Sequence, residues 1–211
     1  MAYPALSDLI SRTRTYLNEA TANFYTDLQI TKWLNRGERD VAIKARCIKS
    51  TFATVTTPAS RNVAFTGYGV DAVEYVPTSG IPIGLFKITP RQYGHTGMKS
   101  PEPRCWFPWG ANIEIEPVPD IAYNLNLYLS IAPSGEMALA TDVPHIPSGF
   151  THLLPMFAAS YGFLKSNKIE KFLQLNKMYS TQLLHCIASQ IPVIPDSQEG
   201  VKIPETMGNV R

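Results

Sequence analysis

Blocks of different periodicity divide the chain. From Tyr25 to Cys47 the apolar positions Ile30, Trp33, Leu34, Gly37, Val41 and Ala45, continued by Ile48, recur at i, i+3, i+4, i+7, i+11, i+15 and i+18. That spacing predicts a helix with one buried stripe, and Arg36, Glu38, Arg39, Asp40 and Lys44 fall on its other side. Thr26 is placed to cap its start, with Gln29 three residues on to close a capping box and Tyr25 and Ile30 to staple it. A shorter helix precedes it, with Leu6, Leu9, Ile10, Thr13 and Leu17 on one face and 18–24 as a turn.

From Ser50 the period changes to two. Residues 51–56 and 62–66 read as strands around a Pro58-Ala59-Ser60 turn, and 72–76 and 83–88 as further strands. Residues 91–108 show no period and read as a long surface loop. Then Asn112 to Glu116 alternates, as does Tyr123 to Ile131, with Tyr123, Leu125, Leu127, Leu129 and Ile131 on one face. The intervening Pro-Val-Pro-Asp makes them an antiparallel hairpin with one wet side.

Helical period returns after Pro147. Phe150, Leu153, Leu154, Phe157, Ala158, Tyr161 and Leu164 define a third helix, whose Pro155 is tolerable if the helix starts near Thr151. A fourth, capped by Asn167 and Glu170 and running to about Ser189, has apolar residues on more than one face, among them Leu175 and Tyr179. Residues 191–211 contain Pro192, Pro195, Gly200 and Pro204 and read as an extended arm that requires an outside surface to hold it. The expected fold is α+β: a four-helix bundle from residues 1–49 and 145–190, an inserted antiparallel β lobe at 50–144, and the arm.

Composition narrows the class mainly by exclusion. Eleven of the 17 prolines lie between Pro77 and Pro147, so the middle is not helical. No apolar run approaches the roughly 20 residues of a membrane span, and the first residues do not read as a signal peptide. Three cysteines, Cys47, Cys105 and Cys186, without a CxxC pair argue against a disulfide framework or zinc site and for a reducing compartment. A net charge of +2 selects no partner by itself.

Candidate chemistry is sparse. Gly94 to Ser100 resembles a phosphate loop only superficially, and His185-Cys186 on a helix point about 100° apart, which rules out a shared proton in line. His95, His145 and His152 are scattered. Glu114 and Glu116 share a strand face and, with Asp120 and the aromatic cluster Trp106, Phe107 and Trp109, support a carbohydrate-binding or carbohydrate-degrading alternative. The bland reading makes the glutamates a solvated strand face and the aromatics a loop anchor. Basic residues gather on the first two helices, with Arg36, Arg39 and Lys44 as candidates for a DNA channel or for charge pairing across subunits.

The order of these segments resembles that of phage head–tail adaptor (connector) proteins of the tail-tubular-A or gatekeeper type. LSDLISRTRTYLNE and FYTDLQITKWLNRGERDVA are similar to that family's paired N-terminal helices, IEIEPVPD with YNLNLYLSIAP to its strand–turn–strand, and VPHIPSGFTHLLPMFAASYGFLKSN to its return to helix. The resemblance implies a structural virion protein of the phage neck, not an enzyme, with no cofactor. It implies a ring of twelve copies under the portal protein, assembled in the host cytoplasm, joined to a tail nozzle or tube and passed by double-stranded DNA. Candidate portal or subunit contacts are Leu175 and Tyr179 with Ile191, Val193, Ile194, Val201, Ile203 and Val210 of the arm; Trp106, Phe107 and Trp109 are the candidate tail-facing loop.

Overall fold

A computed structural model describes residues 3–19, 21, 24–91 and 102–190. Helix α1 spans Leu6–Leu17 and α2 spans Asp27–Ala45. Eight strands follow, β1 (Lys49–Val55), β2 (Asn62–Ala64), β3 (Gly69–Val76), β4 (Ile83–Gly84), β5 (Phe86–Lys87), β6 (Cys105–Trp109), β7 (Asn112–Glu116) and β8 (Asn124–Ser130). A short 3-10 turn at Ser148–Phe150 then leads into α3 (Leu153–Lys165) and α4 (Ile169–Gln190).

The architecture is α+β, but it is not the expected four-helix bundle with an inserted lobe. A closed bundle needs each helix to pack on two neighbours across a shared axis. Here α3 is buried on nearly every side, from Leu153 through Ser160 and again at Gly162 and Phe163. A helix with no polar face becomes the centre, and α1, α2 and α4 each lie against it while α2 and α4 meet only glancingly. Gly37 and Gly162 permit the close approach: a Cβ at Gly37 would stand 2.9 Å from the Phe157 ring, and one at Gly162 would stand 2.6 Å from a Leu17 methyl.

Nor is the β region the expected inserted antiparallel lobe, since β5 and β6 run parallel. The strands form two four-stranded sheets, ordered β1-β8-β3-β4 and β2-β7-β6-β5. Their inner faces share a core of Val73, Leu125, Leu127, Leu129, Val63, Trp106, Ile113 and Ile115, separate from the helical core. β7 and β8, expected to pair, lie in different sheets: β7 pairs with β6 and β2, and β8 lies between β1 and β3. The segment between them is a crossover. β1 and β2 are likewise parted by the Pro58-Ala59-Ser60 turn, where Ala59 takes φ 59° and donates to the Pro119 carbonyl at 2.8 Å.

The loop expected over 91–108 ends early, because Cys105 to Trp109 is strand β6. A proline at 108 argues against a strand, since it offers no ladder N–H. Ile88 N donates to Trp106 O at 2.9 Å, so residues 106 and 108 face the β5 side, and β5 has ended by then.

Local capping fixes the helix ends. Thr26 Oγ1 accepts the Gln29 N–H at 3.3 Å as expected, but Gln29's side chain accepts from Lys165 Nζ at 2.8 Å instead of closing the box. Asn167 does not cap α4: at φ 56° it closes α3, its N–H bonding Leu164 O and that of Lys168 bonding Phe163 O. The strap after β8 serves α1, which has no side-chain cap. Leu6 N donates to Asp142 O at 2.8 Å and Ser7 N to Ala140 O at 3.1 Å.

Candidate interaction surface

Two faces of α4 have opposite fates. Leu175, Tyr179 and Leu183 are buried against α3, with the Tyr179 ring 5.3 Å from that of Phe157. The Tyr179 hydroxyl donates to Asp40 Oδ2 at 2.6 Å, and Lys44 Nζ reaches the same oxygen at 2.8 Å. Burial, with the Asp40 carboxylate behind it, pushes the phenol far above its usual range. Leu175 and Tyr179, candidates for an external contact, therefore belong to this chain's own core. The other candidates for that contact, Ile191, Val193, Ile194, Val201, Ile203 and Val210, lie outside the described residues.

Turned away from the core are Ile169, Leu173 and Leu184, of which Leu173 is 59% and Leu184 67% exposed. They stand at i, i+4 and i+15, on the side of the helix that α3 leaves open. Reading the sequence for apolar residues finds them but cannot rank them. The separating signal is phase: Leu175, Tyr179 and Leu183 follow one line of the helix, and Leu173 and Leu184 follow another.

The basic candidates on α2 are exposed, and each has a partner within the chain. The Arg36 guanidinium stands 4.8 Å from the Tyr161 ring centre, Arg39 pairs with Glu136 at 3.5 Å, and Lys44 pairs with Asp40. Beside them α2 grips the strap. Asn35 exchanges two 3.0 Å bonds with the Met137 backbone, and Glu38 accepts the His145 N–H from a fully buried position. Burial raises the Glu38 carboxyl above its ordinary range, against the lowering effect of His145.

The three aromatics do not form one platform. Trp106 is 1% exposed and points into the sandwich, Phe107 is buried, and Trp109 is 58% exposed beside the Gly110 turn. Glu116 is buried and Glu114 half-buried, while Asp120 accepts the Tyr123 hydroxyl at 2.7 Å. That bond first, and burial second, push the Tyr123 phenol up to about 12. Trp106 and Glu116 are buried while Trp109 and Asp120 are exposed, so the described residues do not present these groups together, and the carbohydrate reading gains no support from them.

Other chemistry is equally spoken for. A cleft of about 590 Å³ beside α1 holds Arg14, whose Nη2 donates to Tyr25 O at 2.9 Å and to Asp27 at 2.6 Å. Burial raises the thiols of Cys47, Cys105 and Cys186, the reverse of what a nucleophile needs. Among the described residues no cluster of His, Cys, Asp and Glu could hold a metal, and no helix is long and apolar enough to cross a membrane. His95 and the loop 94–100 lie outside the described residues.

At the end of the sandwich far from the helices, Val55 at the end of β1 is exposed, as are Ile81, Val118 and Ile121 on the connections beyond the strands. Among the described residues, apolar side chains are thus exposed both on α4 and at the sandwich tip. Comparison with protein-family models matches residues 4–190 to the SU10 adaptor protein model, a description that fits a molecule built for contacts. No curated protein matches the chain.

Proposed function

The chain belongs to the SU10 adaptor protein family of phage head–tail adaptors, and from that membership we propose that it closes into a ring, of twelve copies, beneath the portal. Membership makes it a structural component of the virion neck that associates with portal and tail. The ring, its copy number, the passage of DNA and assembly in the host cytoplasm are our reading.

The observation that carries it is the second face of α4. A 22-residue helix with exposed Leu173 and Leu184, on a fold whose own core is already filled, has apolar surface to place against another molecule. A cyclic ring joins two different patches on each subunit, so the α4 face of one copy meets a different surface of the next. Residues 191–211 reach from the end of α4 to the portal. The sandwich tip, with Val118 and Ile121, meets the tail component, and Trp109 is the one aromatic of its cluster free to join a contact. Arg36, Arg39 and Lys44 face the channel or a neighbouring subunit, where intrachain partners hold their charge weakly enough for DNA to slide.

Mass measured by light scattering tests this. The expected result is a single copy alone and a closed ring when portal is added. A chain that stays single-copy on the portal refutes it.

A further inference from the structure

The outward face of α4 and the sequence that follows it are complementary. Leu173, Lys177 and Leu184 stand at i, i+4 and i+11, within about 40° of one another around the helix, and all three are exposed. Lys177 has no ion pair among the described residues. At about 1.5 Å per residue the leucines are about 16 Å apart, with Lys177 about 10 Å from Leu184.

Beyond Gln190 the sequence places Ile194, Asp196, Glu199 and Val201 in order: an apolar anchor, two carboxylates, an apolar anchor. An extended segment advances about 3.1 Å per residue, so Ile194 and Val201 can stand up to about 22 Å apart. That spans the two leucines. Asp196 and Glu199 then fall about 6 and 15 Å past Ile194, one on each side of Lys177. The connection from Gln190 to Ile194 reaches about 13 Å, which exceeds the roughly 9 Å from Gln190 back to Leu184 along the helix.

We infer that in the unassembled protein residues 194–201 fold back on the outward face of their own α4. Ile194 covers Leu184, Val201 covers Leu173, and Asp196 and Glu199 flank Lys177. This rests on the ring reading, because the covered face is the one assigned above to the neighbouring subunit. The arm is then a cover. Whatever draws it onto the portal also bares α4, so portal attachment and ring closure favour each other by linkage. Residues 194–201 cannot lie on both surfaces at once, which keeps free chains from polymerising away from the vertex.

The test uses the full chain with Cys186→Ser, Leu184→Cys and Ile194→Cys under mild oxidation. The expected product is a disulfide within one chain, migrating as monomer on denaturing gels. Adding Lys177→Glu lowers its yield roughly two- to fivefold, the worth of an exposed ion pair, and Asp196→Lys with Glu199→Lys restores it. A disulfide between chains, or none while both thiols remain reactive to maleimide, overturns the inference. A second variant, Ile194→Asp with Val201→Asp, is expected to form higher oligomers without portal. If it stays single-copy alone yet still forms rings on portal, the cover is wrong and the ring reading stands. If Leu173→Asp with Leu184→Asp assembles on portal like the parent, the ring reading of α4 itself has failed.

Discussion

Adjacent leucines on α4 give a sharp test of its two faces. Leu183 is 3% exposed and Leu184 is 67% exposed, on the same helix turn and with the same side chain. Truncating Leu183 to alanine removes a fully buried isobutyl group and leaves a cavity against α3, which costs about 3–5 kcal/mol. Leu184 has only a third of its surface covered. Its transfer term is under about 1 kcal/mol, and alanine's better helix propensity returns a few tenths. For a protein of this size about 1 kcal/mol moves Tm by about 2–4 °C. Leu183→Ala should therefore lower Tm by about 6–20 °C and Leu184→Ala by less than about 2 °C. Far-UV circular dichroism during thermal and urea unfolding reads both. In contrast, Leu184→Ala should weaken assembly on portal, read by light scattering, more than its stability loss accounts for. Matched losses of Tm in the two variants would place Leu184 in the chain's own core and refute the division of faces.

Replacing Thr26 by alanine should cost about 1 kcal/mol, recovered by serine, whose hydroxyl can also accept the Gln29 N–H; urea midpoints measure it. Trp106→Ala should cost about 3–5 kcal/mol, and Trp109→Ala within about 0.5, with acrylamide quenching Trp109 and sparing Trp106. Glu38 gives a pH signature: its raised carboxyl contributes stability that is fully present below the ordinary value of 4.5 and lost as pH rises through its folded value. The stability difference between parent and Glu38→Gln should change across that window and level off above it; a constant difference contradicts the assignment. Asp71 has the opposite sign. Burial alone would raise it, yet hydrogen bonds from Lys49 and Ser130 and the nearby charges of Lys49 and Arg46 hold it below 3.8. Its contribution is present above that value and is lost as pH falls through the folded one, a loss that Asp71→Asn should abolish.

Local physics was legible where it acts within a few residues. Thr26, Tyr25 and Ile30 start α2 as their types require, and the alternation in 112–116 and 124–130 identifies the inward residues of β7 and β8. Pairing was not legible. Alternation states which side chains face a core but is silent on which strand lies alongside, so two strands joined by a Pro-Asp turn look like a hairpin even when each has its own sheet. Asn167 misled for a related reason. The residue type favours both a helix start and the left-handed conformation that ends one, and only the α3 carbonyls decide between them. β6 hid behind Pro108, whose missing N–H matters only if a strand lies beside it. On the surface, composition could show that α4 is greasy on two sides. It could not show which side α3 takes, because that depends on helices placed far apart in sequence.

The central position of α3 bears on synthesis. By the time β8 leaves the ribosome, every strand of both sheets has been made, and the sandwich can close. α1 and α2 cannot complete their core then, because the helix that fills it lies roughly a hundred residues downstream of α2, about 5–20 s of elongation. During that interval Leu9, Ile30, Leu34 and Val41 lack the α3 side chains that complete their core. α1 and α2 are therefore translated before either sheet yet settle after both, once α3 arrives to fill their core.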